Sequence, residues 1–261
     1  MIAMLAALVG ATTAPCIPIA GADRLWSAST RWVIAGELHG TNETPDAFAN
    51  LVCLAAATGR PVTVALEYPA DGQAVIDAWL ASDGDTAARS ALLTLPIWSK
   101  ESQDGRSSVA FLRLWNTLRV MKQSRTITGV VASDVGRSTP PGQTRDAAMA
   151  ASWTAIPKND RDLVLILVGN VHAMRKPAIF GDRKIITAGS LMPRRQTVSI
   201  NVIGIGGTAW TCESDGCREH DSGPRRPAVA GITFDKNAER SWDATYQLGG
   251  GTTAAAPAIT R

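Results

Sequence analysis

The run Leu163-Val164-Leu165-Ile166-Leu167-Val168, followed at once by Gly169-Asn170-Val171-His172-Ala173, decides the fold class. An apolar stretch of strand length with no polar alternation is a strand buried on both faces, the mark of a parallel sheet covered by helices. Short apolar, β-branched runs of about strand length recur at Trp32–Ala35, Val62–Leu66, Ile127–Ala132, Lys184–Ala188 and Thr197–Ile203. Between them, Phe111, Leu114, Trp115 and Leu118 follow the i, i+3, i+4, i+7 spacing of a helix face, and Pro45–Thr58 reads as a helix behind Thr44 as N-cap. The alternation predicts an α/β domain, a mostly parallel central sheet flanked by helices on both faces. Residues Ser82–Ser108, with Trp98, Lys100, Asp104 and Gly105, are less regular and read as a helical excursion or lid over the sheet. Past Gly204 the chain is rich in Gly, Pro and charge; Trp242–Leu248 reads as a C-terminal edge strand, and the Gly-Thr-Ala-Pro tail as frayed.

A chain of 261 residues with 45% hydrophobic content buries one substantial core. Its 26 basic and 23 acidic residues are scattered, so the basic stripe of a nucleic-acid binder is missing and a small molecule or a peptide is the expected substrate. No segment reaches the length of a transmembrane helix. The apolar start, Met1 to Gly10, and the small residues up to Ala20-Gly21-Ala22 resemble a signal peptide with an A-x-A cleavage site, although no Lys or Arg precedes the run. Residues 1–22 are therefore expected to be an export signal, 23–261 a single domain, and the location periplasmic or secreted. A buried first helix is the structural alternative. Cys212 and Cys217 enclose a short polar loop that suits a disulfide in an oxidising compartment; a zinc site is the weaker reading, with only His220 near. Cys53, among apolar neighbours, reads as inert core, and Cys16 as lost with the signal peptide.

Ligands of open parallel sheets bind beyond the carboxyl ends of the strands, so the polar residues placed there are the ones to inspect. The first strand leads into Gly36-Glu37-Leu38-His39-Gly40, with Glu37 and His39 two apart and thus on one side of an extended segment. Val62–Leu66 is followed directly by Glu67, a carboxylate whose burial needs a cation or hydrogen bonds. His172 follows Gly169 after the run at 163–168. Two histidines with two glutamates can ligate a divalent ion or activate water unaided. The bland reading is that Glu37 and Glu67 cap helices or pair with Arg145, and that Arg145 and Asp146 open a solvated helix.

These motifs resemble the superfamily that joins erythromycin-esterase-like hydrolases, haem-binding ChaN-like proteins and Tiki/TraB-like proteins. Gly36-Glu37-Leu38-His39-Gly40-Thr41-Asn42-Glu43 is similar to its G-E-x-H-G-x-x-E element, Leu66-Glu67 to its buried strand-end glutamate, and Gly169-Asn170-Val171-His172-Ala173 to its G-N-x-H-A element. Arg145-Asp146-Ala147-Ala148-Met149-Ala150 resembles the R-D-x-x-M-A segment of the esterase-like branch, from which this chain departs in its shortness and reduced helical cap. The resemblance implies that His39 activates water for ester, lactone or peptide cleavage, oriented by Glu37, Glu67 and His172, with Arg145, Glu43 and Asp146 around the substrate. A ChaN-like binding protein for haem or a metal is the competing class, in which His39, His172, Glu37 and Glu67 would be the ligands. Substrate identity and oligomeric state are not legible at this level.

Overall fold

The computed structural model describes residues 15–99, 103–135, 139, 142–224, 226–235, 237 and 240–259. The apolar start Met1–Gly10 and Lys100 lie outside them. In chain order the helices are α1 (Glu43–Ala56), α2 (Gln73–Ala81), α3 (Thr86–Leu92), α4 (Val109–Gln123), α5 (Arg145–Thr154), α6 (Asn170–Ala173) and α7 (Ala188–Leu191). The strands are β1 (Trp32–Glu37), β2 (Val62–Pro69), β3 (Gly129–Asp134), β4 (Leu163–Gly169), β5 (Ala178–Phe180), β6 (Arg183–Ile185), β7 (Thr197–Ile203), β8 (Thr208–Glu213), β9 (Gly216–Asp221), β10 (Gly231–Phe234) and β11 (Ala244–Gln247).

A seven-stranded sheet runs in the order β10-β11-β7-β1-β4-β2-β3. All its pairings are parallel except β10 with β11. The apolar β4 run is buried on both sides, as its lack of alternation predicts: Leu163, Leu165 and Leu167 join one core with Phe48, Trp79 and Trp115 of α1, α2 and α4. Val164, Ile166 and Val168 join a second core with Met149 and Trp153 of α5. Truncating a β4 residue such as Ile166, wholly buried, to Ala would cost about 2–5 kcal/mol.

Four expectations of secondary structure and its ends need correction. Lys184–Ala188 is not a strand of the main sheet: β6 pairs only with β5 in a separate hairpin, and α7 begins at Ala188. The strand at Trp242–Leu248 forms as β11 but is not an edge, because the short strand β10, hidden in Gly/Pro-rich sequence, covers it. Helix α1 starts at Glu43 behind Asn42 rather than after a Thr44 cap. The tail is docked rather than frayed: Ala255 N donates to Gly40 O and Val109 N to Ala256 O, and Ala255 is wholly buried.

Cys53 is not an inert thiol, for it is bonded to Cys16. The segment after Cys16 is part of the fold as well, since Ile232 N of β10 donates to Ala20 O. Cys212 and Cys217, opposite each other in the β8–β9 hairpin, form the second disulfide. Among the described residues no helix is long and apolar enough to cross a membrane.

Candidate active site at the carboxyl edge of the sheet

Strands β1, β4, β2 and β3 stand side by side in parallel, so their carboxyl ends bring Glu37, Gly169, Glu67 and Asp134 to one edge. At the end of β1, Glu37 Oε1 accepts from His39 Nδ1 at 2.8 Å, as two side chains on one side of an extended segment can. His39 Nε2 lies 3.4 Å from Glu67 Oε2. Glu67 is buried and fully partnered: Arg106 Nη1 donates to it at 2.9 Å, Arg145 Nη2 at 2.6 Å and Gly169 N at 2.7 Å. Arg145 also grips Asp134 bidentately, Nε and Nη2 donating at 2.9 and 2.7 Å.

His172 closes the chain of contacts. Its Nδ1 donates to Asp146 Oδ1 at 2.8 Å, and its Nε2 accepts from Arg145 Nη1 at 3.0 Å. Because a guanidinium cannot accept, this pairing places the ring proton on Nδ1 and leaves no N–H for a reacting group. Asp146 accepts from Ala188 N as well and so orients His172 from behind. Glu37, His39, Asp104, His172, Thr211 and Cys212 are among the residues lining a cleft of about 310 Å³, with Glu67 buried directly behind His39. Glu43 is not among them; it caps the docked tail, accepting from Thr253 N and Oγ1.

Charge follows from this packing. Burial lowers the basicity of His39, but the negative charge of Glu67 and hydrogen bonds to Glu37 and Glu67 outweigh it and push the imidazole up to about 10. Burial, aided by the negative charge of Glu67, raises Glu37 against the lowering effects of His39 and Arg106, and its Oε2 has no hydrogen-bond partner among the described residues. Burial would raise Glu67 too, yet His39 and Arg106 hold it well below the usual carboxylate range. Glu67 is thus a fixed anion, His39 its cation, and Glu37 the carboxylate most easily protonated.

Sequence reasoning missed two members. Asp134 ends the third apolar run and was open to the same strand-end inspection. Arg106 had no local signal: it comes from the excursion, and its place depends on Tyr68 Oη donating to its carbonyl and on Asp104, which holds its guanidinium.

Among the described residues, Glu37, Glu67, His39 and His172 do not converge as a metal cluster, and the Arg145 guanidinium occupies the nitrogen of His172 that a metal would need. A haem needs an axial ligand beside a broad apolar surface; the cleft surface is largely apolar, with Leu38 and Val171 in its lining, but both ring nitrogens of His172 and Nδ1 of His39 are taken by Asp146, Arg145 and Glu37. Neither group fits.

A doubly covered, mostly parallel sheet with an ionised His/Glu/Arg cluster at its carboxyl edge is the class these observations define. No family model and no curated protein sequence matches the chain. Among solved structures it is similar to a mutant of the erythromycin esterase EreC in its open conformation, at 10% identity, covering 89% of this chain and 93% of that one with a TM-score of 0.58. It is similar also to a succinoglycan biosynthesis protein, at 9% identity over 87% of this chain and 89% of that one, TM-score 0.53. The type III effector HopBA1 aligns at 15% identity over 91% of this chain and 99% of that one, TM-score 0.50. At these identities what is shared is the fold, and it is the fold that the motif resemblance implied.

Proposed function

We propose that this chain is an exported hydrolase that opens an ester, lactone or peptide bond with water activated by His39. The observation that carries the reading is the Glu37–His39 pair, 2.8 Å apart, on the wall of a cleft at the carboxyl edge of the sheet. Glu37 accepts from Nδ1 and so leaves Nε2 of the neutral ring as the basic atom. That nitrogen takes a proton from water as the water oxygen attacks the carbonyl carbon, and the tetrahedral intermediate collapses when Nε2–H returns the proton to the leaving oxygen or nitrogen. His172, whose Nε2 lone pair is taken by the Arg145 guanidinium, has no part in that transfer. Glu67, fixed by Arg106 and Arg145, holds the cationic form of His39 that exists between the two steps. Two disulfides support an oxidising compartment outside the cytoplasm.

The test is a screen of ester, lactone and peptide substrates with and without chelator, followed by His39→Ala on any substrate found. Removing a positioned base lowers turnover by about a hundredfold to ten-thousandfold, with the circular dichroism spectrum retained. A folded His39→Ala protein with near-wild-type turnover refutes the assignment, and activity abolished by chelator and restored by added ion refutes the metal-free mechanism.

A further inference from the structure

Strand β5 leaves the fold directly after α6 and turns through Gly181-Asp182 into β6, forming a ribbon of two strands that joins no other sheet. Its base is pinned where Thr187 Oγ1 donates to the carbonyls of Met174 and Lys176. At its tip Ile179 is 73% exposed and Phe180 52% exposed, and Ile186 and Leu191 just beyond are exposed as well. Four of the eight large apolar side chains exposed among the described residues therefore fall within thirteen consecutive positions. Successive strand residues face opposite sides, so the ribbon shows an apolar side chain on each face of its tip; it gains no stability from showing them to water, and the tip calls for an external partner.

Charge identifies the partner. Residues 175–195 carry six basic residues against Asp182 alone, whereas the rest of the chain holds more acid than base. In the hairpin register Ile179 lies opposite Lys184 and Phe180 opposite Arg183, so each exposed apolar side chain has a cation beside it. Arg183, Lys184, Arg194 and Arg195 have no carboxylate partner among the described residues, unlike the arginines of the cleft. Apolar tips backed by unpaired cations match the boundary between acyl chains and anionic headgroups. A nucleic-acid surface would match the cations but not Ile179 and Phe180.

We propose that the β5–β6 hairpin and the basic turn at Arg194-Arg195 are a docking surface for a bilayer containing anionic phospholipid. The inference is independent of the hydrolase reading. The hairpin and the cleft wall are consecutive in sequence, β5 starting six residues after His172, so docking would hold that wall beside the membrane surface.

The experiment is co-sedimentation of the full, oxidised chain with vesicles of phosphatidylcholine alone and of phosphatidylcholine with phosphatidylglycerol at about three to one. Binding is expected only to the second kind and should weaken as salt is raised. Ile179→Ser with Phe180→Ser, and separately Arg183→Glu with Lys184→Glu, should each lower the partition coefficient by about tenfold or more. All four positions are exposed, so folding is not at issue, and His39→Ala should bind vesicles as the wild type does. Equal binding to both vesicle types, no binding at low salt, or variants that bind undiminished would overturn the proposal. So would a self-association or nucleic-acid binding that the same variants abolish without any vesicle binding.

Discussion

His39 shows how far a single residue can be read from sequence. Its position after β1, two residues from Glu37, predicts the contact that forms, but its charge depends on groups far apart in the chain. Glu67 arrives from β2, and Arg106 and Arg145, which fix Glu67, arrive from the excursion and α5; no local pattern links these segments. The consequence is measurable. A group raised from about 6.5 in the unfolded chain to about 10 in the fold contributes stability that is complete below pH 6.5 and is lost as pH rises through 10. Glu37, also raised, acts in the same direction at lower pH, because its buried charged form is the disfavoured one. The wild-type melting temperature should therefore fall between pH 6.5 and 10 more steeply than that of His39→Gln, a comparison that differential scanning calorimetry provides. Over the same range the hydrolytic rate should climb toward an apparent value near 10, since only the neutral ring takes a proton from water. A rate that instead falls through that range would make the His39 cation the working form.

Elements differ in legibility according to whether their partners are local. The runs in β1 and β4 announce themselves because burial on both faces removes polar positions, whereas β2 keeps Thr63 and β7 alternates Thr197, Ser199 and Asn201 with Val and Ile, so their β-branched content carries the signal. The short strand β10 and the β8–β9 hairpin lack that signal: β10 exists because β11 and Ala20 supply its hydrogen bonds, and the hairpin because Trp210 N reaches Gly40 O. The excursion is the clearest case. Gly105 has φ +91°, and a Cβ there would stand 2.3 Å from Gly40 N and 2.9 Å from the His39 carbonyl carbon, so the loop backbone lies directly on the His39 segment. This close approach sets Arg106 against Glu67. Gly105→Ala should cost about 3 kcal/mol, combining left-handed strain with a clash of two backbones, and should lower activity with it. Gly181→Ala is the control: φ is +56° with nothing within 4 Å, so only about 1 kcal/mol of strain is expected, and no loss in the cleft. Urea titrations of the two variants give the comparison. Equal losses would mean that the approach of Gly105 to Gly40 is not what positions the loop.

At the scale of the whole molecule, the two disulfides have unequal weight. Cys212–Cys217 closes a loop of five residues' separation within one hairpin and constrains little of the unfolded chain. Cys16–Cys53 spans 37 residues and ties the start of the described chain to α1, across β1. In the loop-entropy account a closure of that length contributes about 4 kcal/mol, a large share of the stability of an ordinary domain. The sequence offered an A-x-A site at Ala20-Gly21-Ala22, and small-residue spacing alone cannot distinguish it from a folded segment. Here Gly21 takes φ +78° against the Ile232 carbonyl, Ala22 and Leu25 are buried, and Ala20 pairs with β10. A cut after Ala22 would remove the partner of Cys53 and uncover the β10 edge. If the chain is exported and processed, the fold therefore favours a cut upstream of Pro15, which leaves Cys16 in the mature protein. Three measurements bear on this together. The intact mass of protein recovered from the exported fraction should include Cys16, and thiol titration in denaturant without reductant should find none of the four cysteines free. Cys16→Ser with Cys53→Ser should lower the denaturation free energy by about 4 kcal/mol while leaving the cleft at the opposite end of the β1 strand active. A mature chain beginning at Asp23 that is as stable as the longer form would show that neither the disulfide nor the β10 contact is needed.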